Sequence, residues 1–526
     1  MVSLPSTKQA GKMDTSTLHP TRLEFPLSQW GVAAPCNSES FKTRSHKHKP
    51  LAKDLTYRLS PESAGRTGSS LKGAFKYLKN PGIISLGGGL PLSEYFPFES
   101  LTFAVPSLSS IGGSQTHENH GNSNVLAEKN DLLEGRSVYD ISIALNYSQG
   151  SGSAQLLRWI VEHTEMVHDP PYADWQCTMT IGSTSALDMA LRMLSHPGDC
   201  VLSDHYTFAS AVETALPMGV KFIGIEMDSE GILPESLQAT LEDWKPEENG
   251  NARKPFLLYL IPTGQNPTGA TQSLARRREI YRVAQAHDMI ILEDDPYYFL
   301  QMAPYDPLGV SRPEAIHSPA DLLEVIVPSY LSIDVDGRVI RMDSFSKVVS
   351  PGSRIGWITA PQEITERYKS HADVSTQGPS GFSQLALFKL LDEHWHHSGY
   401  LEWLIHIRRE YTNRRDFMVR ACERHLPKDI VSWEPAQAGM YQWLCVDWQK
   451  YPGAGLKPLL DIEEDIWHNA IAEGALVARG SWFNTMKEKP IKDIFFRTTF
   501  AAAPLDKVEE AIRRFGDAVR KTFRSK

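Results

Sequence analysis

A lysine among small hydroxyl residues is the strongest chemical signal in the sequence. Lys347 ends the run Asp343-Ser344-Phe345-Ser346-Lys347, and Arg354 follows seven residues later. Burial and nearby positive charge lower the pKa of a lysine amine, which then forms a Schiff base with an aldehyde cofactor. Hydroxyl groups bind phosphate, and an arginine meets a phosphate with two parallel hydrogen bonds. The run predicts a Schiff-base lysine beside a phosphate site, although in isolation it also fits a solvated lysine in a turn.

A second signal is the loop Pro262–Gly269, which follows the apolar run Phe256–Ile261. Its two prolines and two glycines favour a rigid loop around Asn266. The carboxyl end of a strand is where α/β proteins bind ligands. Asn266 is therefore a candidate donor to a phenolate oxygen, and an ordinary Asx-turn is the alternative.

Carboxylates end the next apolar run, in Ile291-Leu292-Glu293-Asp294-Asp295-Pro296-Tyr297-Tyr298. A carboxylate paired with a pyridine nitrogen keeps that nitrogen protonated, so the ring accepts electrons from a substrate carbanion. Asp294 is the candidate for that role, and Tyr297 is close enough in sequence to reach the ring oxygen. Acidic capping of a helix after a strand is the alternative interpretation.

Small residues also precede a predicted helix, where Thr180–Ala186 leads into the helical pattern Leu187–Ser195. Free backbone N–H groups and the positive end of the helix dipole favour phosphate there. Ser183 and Thr184 are thus candidate phosphate ligands, or simple N-cap residues. Phe208 offers a flat face for stacking on an aromatic ring, or packs in the core.

Alternating strands and helices must position these residues. Phe256–Leu260 and Met289–Leu292 are continuous apolar runs, as in parallel strands covered on both faces, and Ser273–His287 between them has helical periodicity. This repetition predicts an α/β domain with a mainly parallel sheet. After about residue 380 the pattern changes. A helix over about 394–425, a strand at Gly439–Val446, and helices near 460–473 and 505–522 predict a second, α+β domain.

The chain is expected to divide into four parts. Residues 1–55 are a polar, flexible leader, and 56–150 form an N-terminal segment with a polar insertion at about 106–135. Residues 151–380 are the large cofactor-binding domain, and 381–526 are the small domain, to which part of 56–150 also belongs. A further candidate insertion is 304–319.

Composition excludes several classes of partner. The 54 basic and 63 acidic residues are well mixed, with a net charge of −9, which argues against nucleic acid and anionic membranes. Five cysteines without CxxC or zinc-ligand spacing indicate a reducing compartment and no metal. No apolar run approaches the ~18 residues of a membrane span. A cytoplasmic location is expected, and a transit peptide is the alternative, because Lys, Arg and Ser are scattered through the N-terminus.

Together the motifs resemble pyridoxal 5′-phosphate (PLP) dependent aminotransferases of fold type I, class I/II. Similarity is greatest to fungal aromatic-amino-acid aminotransferases and to kynurenine and aminoadipate aminotransferases, from about Leu59 to the C-terminus. Besides the motifs above, the matching segments are Ile84–Pro91, Phe96–Phe98, Leu145–Ser148, Pro170–Trp175, Val335–Arg341 and Phe496–Phe500. The resemblance implies a mainly parallel seven-stranded sheet between helices, plus a smaller α+β domain.

The resemblance also implies residue roles around PLP. Lys347 binds the cofactor and moves the proton, Asp294 pairs with the ring nitrogen, and Arg497 binds the substrate carboxylate. The remaining implied contacts are Ser183, Thr184, Ser344, Ser346 and Arg354 with phosphate, Asn266 and Tyr297 with the ring oxygen, Phe208 stacked on the ring, Gly89 near substrate, and Tyr147 from the second subunit of a homodimer. Many relatives have tyrosine at Phe208, and some have glutamine at Thr184.

The implied function is ping-pong transamination from Trp, Phe or Tyr to a 2-oxo acid such as 2-oxoglutarate. The amino acid and oxo acid substrates are the expected small-molecule partners. Aminoadipate and kynurenine are the alternative donors. Decarboxylation or elimination on the same fold, and a PLP-sensing transcription regulator, are the alternatives of other classes.

Overall fold

The structure is a computed structural model. It describes residues 25, 30–34, 37–77, 80, 82–107, 122–307 and 316–524. The remaining parts of the expected leader, residues 108–121 of the expected insertion, and residues 308–315 of the further candidate insertion lie outside the described residues.

Among the described residues the strands have the following bounds: β1 Ser100–Pro106, β2 Asn122–Glu128, β3 Trp175–Thr180, β4 Cys200–Asp204, β5 Lys221–Ile225, β6 Met227–Asp228, β7 Gly231–Ile232, β8 Leu257–Leu260, β9 Ile290–Asp294, β10 Val339–Ser344, β11 Gly356–Pro361, β12 Val431–Ser432, β13 Tyr441–Val446, β14 Ala478–Arg479 and β15 Ile494–Thr499.

The helices of the same residues are α1 Pro61–Ala64, α2 Ser70–Ala74, α3 Ile141–Ala144, α4 Ala154–Val167, α5 Gly182–Leu194, α6 Ala209–Ala215, α7 Pro234–Glu242, α8 Leu274–Ala286, α9 Pro319–Val325, α10 Tyr330–Ile333, α11 Gln362–Ala372, α12 Gly381–Phe388, α13 His396–His425, α14 Leu459–Ala472 and α15 Leu505–Arg524. A π-helical turn, Lys389–His394, follows α12. None of the helices described is long and apolar enough to cross a bilayer.

The largest sheet has seven strands in the order β3-β11-β10-β9-β8-β4-β5. β10 pairs with β9 in parallel, and β4 pairs in parallel with both β8 and β5. β11 is antiparallel to both of its neighbours. The strands β3, β4, β8, β9, β10 and β11 are buried along their whole length, which explains the continuous apolar runs at β8 and β9. The expectation of a mainly parallel seven-stranded sheet in an α/β fold is confirmed.

The chain forms two compact units, each built from three segments. Unit 1 comprises 1–196, 290–296 and 316–406, and unit 2 comprises 197–289, 297–315 and 407–526. In unit 1, Ser153 caps the N-terminus of α4 by accepting a hydrogen bond from the Leu156 backbone N–H. The contiguous domain ranges expected from the sequence remain a prediction.

Unit 2 contains the four-stranded antiparallel sheet β12-β13-β15-β14. Along β13 the side chains alternate, with Gln442, Leu444 and Val446 buried and Tyr441 and Trp443 half-buried. The buried face packs with α14 and α15 in one apolar core. The strand expected at 439–446 and the helices expected near 460–473 and 505–522 are present.

The described part of the leader is packed, not loose. Phe41 and His46 are buried on unit 1, and Ser38 Oγ both donates to the Cys177 backbone oxygen and accepts from its N–H, each at 2.9 Å. His46 Nε2 lies 2.6 Å from Glu165 Oε1. Residues 37–55 therefore differ from the flexible leader expected over 1–55. Their anchors are irregularly spaced single residues, which leave no periodic signal.

Part of the expected polar insertion is regular structure. β2 pairs with β1 as an antiparallel ladder, in which Ser100 lies opposite Glu128 and Pro106 opposite Asn122. Val125 and Ala127 of β2 are buried. The sequence did not indicate this strand, because all the remaining residues of β2 are polar or exposed.

Candidate active site

Hydroxyl groups and a guanidinium converge in unit 1 at the start of α5. We call the five residues Ser183, Thr184, Ser344, Ser346 and Arg354 the anion cluster. Ser344 Oγ donates to Ser346 Oγ at 2.8 Å, and Arg354 Nη1 donates to Ser346 Oγ at 3.3 Å. Ser183 Oγ is buried and has no hydrogen-bond partner among the described residues. The first backbone N–H groups of α5 add donors to a site with excess positive potential.

Gly182 allows Arg354 to reach this helix terminus. Its φ of 77° lies in the left-handed region, and a Cβ added there would be 2.4 Å from Arg354 Nη2. Arg354 itself has φ 50°, and its Nη2 donates to the Ile181 backbone oxygen at 3.3 Å. The guanidinium therefore lies directly against the backbone that opens α5. Any side chain at residue 182 would displace it.

Lys347 ends the short 3₁₀ turn Phe345–Lys347, directly after β10. The turn places it next to Ser346 of the anion cluster. Its side chain is half-buried, and no hydrogen bond or ion pair of its Nζ occurs among the described residues. Asp294 is buried at the end of β9, where it pairs with Met342 of β10. Unit 1 thus carries an uncommitted amine, a phosphate-type site and a buried carboxylate on neighbouring strand ends.

The loop expected around Asn266 is braced from several sides within unit 2. Gln265 Nε2 donates to the Tyr206 backbone oxygen at 2.6 Å, and Gln265 Oε1 accepts from the Thr268 N–H and hydroxyl at 2.9 and 2.7 Å. The Asn266–Pro267 peptide bond is cis. Asn266 is buried, so its amide is held in one place rather than in a mobile turn.

Arg497 of β15 donates from Nη1 to Asn266 Oδ1 at 2.7 Å. Its guanidinium lies between two aromatic rings, 4.2 Å from the Tyr441 centroid and 4.6 Å from the Phe483 centroid. Burial lowers the pKa of Arg497, although the phenol groups of Tyr441 and Tyr297 raise it. Arginine nevertheless stays protonated in proteins. The arrangement is a half-buried cation suited to a carboxylate.

Two other expected residues also lie in unit 2. Tyr297 is buried, and its ring makes an edge contact with Tyr441 at 6.1 Å. Tyr297 therefore belongs to the same side-chain group as Arg497. Phe208 is half-buried at the N-cap of α6, and the preceding Thr207 N–H donates to the Phe483 backbone oxygen at 2.9 Å.

Gly89 and Tyr147 do not lie among the other expected site residues within the single chain. Gly89 is exposed, and no heavy atom lies within 4 Å of a Cβ built on it. Tyr147 is 56% exposed, in the segment before α4. Their expected roles stay predictions.

Comparison with known proteins decides the family. The model of the family "Aminotransferase class I and II" matches residues 121–515. The chain belongs to this family. The chain is therefore an aminotransferase, an enzyme of the transaminase type, and the family resemblance inferred from its motifs is confirmed.

Individual relatives agree with this assignment. An aromatic amino acid aminotransferase of Schizosaccharomyces pombe is 44% identical over 479 residues, covering 90% of this chain and 99% of the relative. The crystal structure of aminotransferase Aro8 from Candida albicans is 43% identical with a TM-score of 0.84, and the match covers 90% of this chain and 100% of that chain. The crystal structure of Pyrococcus horikoshii kynurenine aminotransferase in complex with PMP is 25% identical with a TM-score of 0.62, and the match covers 90% of this chain and 99% of that chain.

Some residues around the candidate site were not singled out in the sequence. Tyr441 and Phe483 flank Arg497, and Arg341 lies among carboxylates next to Asp294. The alternating pattern of β13 could have indicated Tyr441. Tyr441 lies on the half-buried face of β13, and the β13–β15 pairing places Arg497 on that same face. Phe483 and Arg341 carry no local signal, since their partners are distant in sequence.

Proposed function

We propose that the chain is a PLP-dependent aminotransferase that moves the amino group of Trp, Phe or Tyr to a 2-oxo acid such as 2-oxoglutarate. The products are an arylpyruvate and glutamate. One observation carries the proposal: Lys347, with an uncommitted amine, adjoins Ser346 of the anion cluster on one short turn. A Schiff-base lysine next to a phosphate site is what an aldehyde cofactor with a phosphate group requires.

The residues present fit PLP. The buried and unpartnered Ser183 Oγ, the opening N–H groups of α5 and the Arg354 guanidinium suit a phosphate dianion. A Cβ at Gly182 would fill part of this cradle. When bound, PLP supplies an electron sink for the charge that develops at the substrate Cα. Asp294, buried at the end of β9, is the residue that would keep the ring nitrogen protonated.

The residues of unit 2 would hold the ring oxygen and the substrate. Because Asn266 Oδ1 accepts from Arg497, its Nδ2 is oriented to donate elsewhere, and the ring oxygen is the proposed acceptor. Tyr297 would donate to the same oxygen, and Phe208 would stack on the ring. Arg497 would bind the substrate α-carboxylate with its guanidinium fork, so that every amino acid and oxo acid substrate is held by the same end.

Lys347 would act as the general base once an amino acid has displaced it from the cofactor. Its neutral amine would take the proton from the substrate Cα. The reaction occurs in two halves on one site, which makes the kinetics ping-pong. Lys347 would therefore have two roles, holding the cofactor and moving the proton at the substrate Cα.

The aromatic donor rests on two supports. The Schizosaccharomyces pombe relative is named an aromatic amino acid aminotransferase. In addition, the Tyr441 and Phe483 rings lie at Arg497, where a substrate carboxylate would bring an aromatic side chain near. Kynurenine is the alternative donor, because the Pyrococcus horikoshii relative is a kynurenine aminotransferase. Measuring kcat/KM for Trp, Phe, Tyr, kynurenine and aminoadipate tests the choice, and a preference for either of the last two rejects it.

We further propose a homodimer, in which Tyr147 and Gly89 contribute to the partner's site. Support comes from the segment before β1 in unit 1, where large apolar side chains are exposed: Leu86 is 95% and Ile84 87% exposed. Contiguous exposed apolar residues mark an interface. Light scattering after gel filtration tests this, and a monomeric mass for active enzyme would reject it.

A cytoplasmic location is proposed as well. It is supported by the free thiols of Cys177, Cys200, Cys422 and Cys445, which suit a reducing compartment. Imaging of the fluorescently tagged chain tests it, and mitochondrial fluorescence would reject it.

A further inference from the structure

A fully buried ion network lies at the carboxyl ends of β9 and β10 in unit 1. It joins the guanidinium of Arg341 to the carboxylates of Glu293, Asp295 and Asp343. Arg341 Nη1 lies 2.9 Å from Glu293 Oε1 and 3.3 Å from Asp295 Oδ2, and Nη2 lies 2.8 Å from Asp343 Oδ1. The side chains of Arg341, Glu293 and Asp295 are 0% exposed. One guanidinium therefore links the ends of two adjacent strands.

Strand geometry relates this network to Asp294. Successive side chains point to opposite faces of a sheet, so Glu293 and Asp295 share one face of β9 while Asp294 is on the other. The parallel register pairs Arg341 with Glu293 and Met342 with Asp294. The network consequently holds Glu293 and Asp295, the residues immediately before and after Asp294. It also holds Asp343, the residue that precedes Ser344.

Backbone hydrogen bonds complete this attachment. Glu293 accepts from the N–H groups of Tyr330 and Leu331 at 2.8 and 3.2 Å, at the start of α10. The Asp295 N–H donates to the Met342 oxygen at 3.2 Å. The residues on both sides of Asp294 are thus attached to other elements. Glu293, which also contacts Arg341, is bonded to α10, and Asp295, which also contacts Arg341, is bonded to β10.

Such a network is a poor device for stability alone. Removing four charged groups from water costs free energy that their attraction offsets only in part, and apolar residues of similar size often stabilise more. Burial by itself lowers the pKa of Arg341, but the charges of Asp343, Glu293 and Asp295 raise it well above its ordinary value. Arg341 therefore remains a cation, and only a planar fork contacts three carboxylates at once.

We propose that Arg341 is a positioning residue for catalysis, which fixes the carboxylate of Asp294 and the start of the Ser344–Lys347 turn relative to each other. It touches neither substrate nor cofactor. The inference rests on the proposed function, because the roles of Asp294 and Lys347 are those proposed above. A displacement of about 1 Å at such groups lowers turnover by about 10²-fold.

Arg341→Lys tests the proposal, since it keeps the charge and removes the fork. We expect kcat to fall about 10²-fold while KM for the amino donor stays within about threefold of wild type. We also expect the visible circular dichroism of bound PLP to change, because the cofactor's ring nitrogen partner is displaced. The matched control is Arg415→Lys. Arg415 is also buried and donates to the Ala303 and Ala436 backbone oxygens within unit 2.

Glu293→Gln is measured in parallel, so that a poorly folding Arg341→Lys leaves the test intact. It keeps one of the two oxygens that accept from the Tyr330 and Leu331 N–H groups but loses the other oxygen and the ion pair with Arg341, and kcat should fall about tenfold. Thermal unfolding of all apoproteins separates stability from turnover. Lower melting temperatures with kcat and dichroism unchanged in both variants would overturn the proposal. A wild-type protein that forms no PLP band would instead reject the proposed function itself.

Discussion

Arg497 donates a 2.7 Å hydrogen bond from Nη1 to the side-chain oxygen of Asn266. The guanidinium and the amide belong to β15 and to the loop after β8, which are more than 200 residues apart in sequence. The bond fixes the orientation of the Asn266 amide, so its nitrogen points away from Arg497. It also leaves the remaining guanidinium donors between the Tyr441 and Phe483 rings for a carboxylate.

Replacing Arg497 with lysine should weaken the binding of both the amino donor and the oxo acid. The ammonium group keeps the charge but loses the two parallel hydrogen bonds and the flat contact with the rings. We expect kcat/KM to fall by about 10- to 100-fold for the amino donor and for the oxo acid alike. Steady-state kinetics measures this. Arg513→Lys, on the exposed face of α15 beside Glu510, is the matched control. A loss for only one of the two substrates would contradict a shared carboxylate site.

Asn266→Asp should be more damaging than Asn266→Ala. The aspartate carboxylate would form an ion pair with Arg497 at the distance the hydrogen bond now occupies, and would compete with the substrate carboxylate. We expect KM for the amino donor to rise further in the aspartate variant than in the alanine variant. The two KM values, measured at one pH, decide the matter, and the reverse order would show that Arg497 is not the carboxylate ligand.

Gly182→Ala should weaken PLP binding. The added Cβ would lie 2.4 Å from Arg354 Nη2, so the guanidinium would have to shift from its present position against the start of α5. We expect the dissociation constant of PLP to rise by about tenfold or more, as for the loss of a charged hydrogen bond. Titration of apoprotein with PLP measures it. Gly250→Ala is the control, because Gly250 also has positive φ but has open space around its Cβ position. Equal effects of the two variants would assign the loss to backbone strain.

Asp204 should make stability depend on pH. Burial raises its pKa to about 7, so the folded chain keeps a proton that the unfolded chain releases above about pH 4. The unfolded state then binds fewer protons, and the free energy of unfolding falls as pH rises from about 4 to about 7. Asp204→Asn removes this contribution, so its slope between pH 5 and 7 should be flatter in urea unfolding. Identical slopes for both proteins would contradict the assignment.

The residues that follow strands were predictable, because their signal is local. Asp294 and Asn266 each follow an apolar run of strand length, and Lys347 stands among small hydroxyl residues. The position of Ser183 was also local, since small residues before a helical pattern indicate its N-terminus, and Arg354 was singled out by its spacing from Lys347. Strand and helix bounds agree with the expectations to within a few residues where the apolar period is clear.

Other features depend on contacts between distant segments. Arg341 was noticed only as part of a family motif, because its three carboxylates become neighbours through the β9–β10 register. The order of strands in the large sheet likewise follows from crossovers that leave no mark in the sequence. Ser38 and His46 anchor the N-terminal segment through single contacts with Cys177 and Glu165, which no periodic pattern reveals.

The most direct test of the account is an absorbance titration of PLP-loaded wild type and Lys347→Ala with Phe, followed by 2-oxoglutarate. For wild type we expect the visible band of Lys347-bound cofactor to give way to the near-ultraviolet band of the amine form, and to return with the oxo acid. Lys347→Ala should lack the initial band and turn over at least about 10³-fold more slowly. A visible band in wild type that no amino donor converts, or a Lys347→Ala rate above one tenth of wild type, would contradict the account.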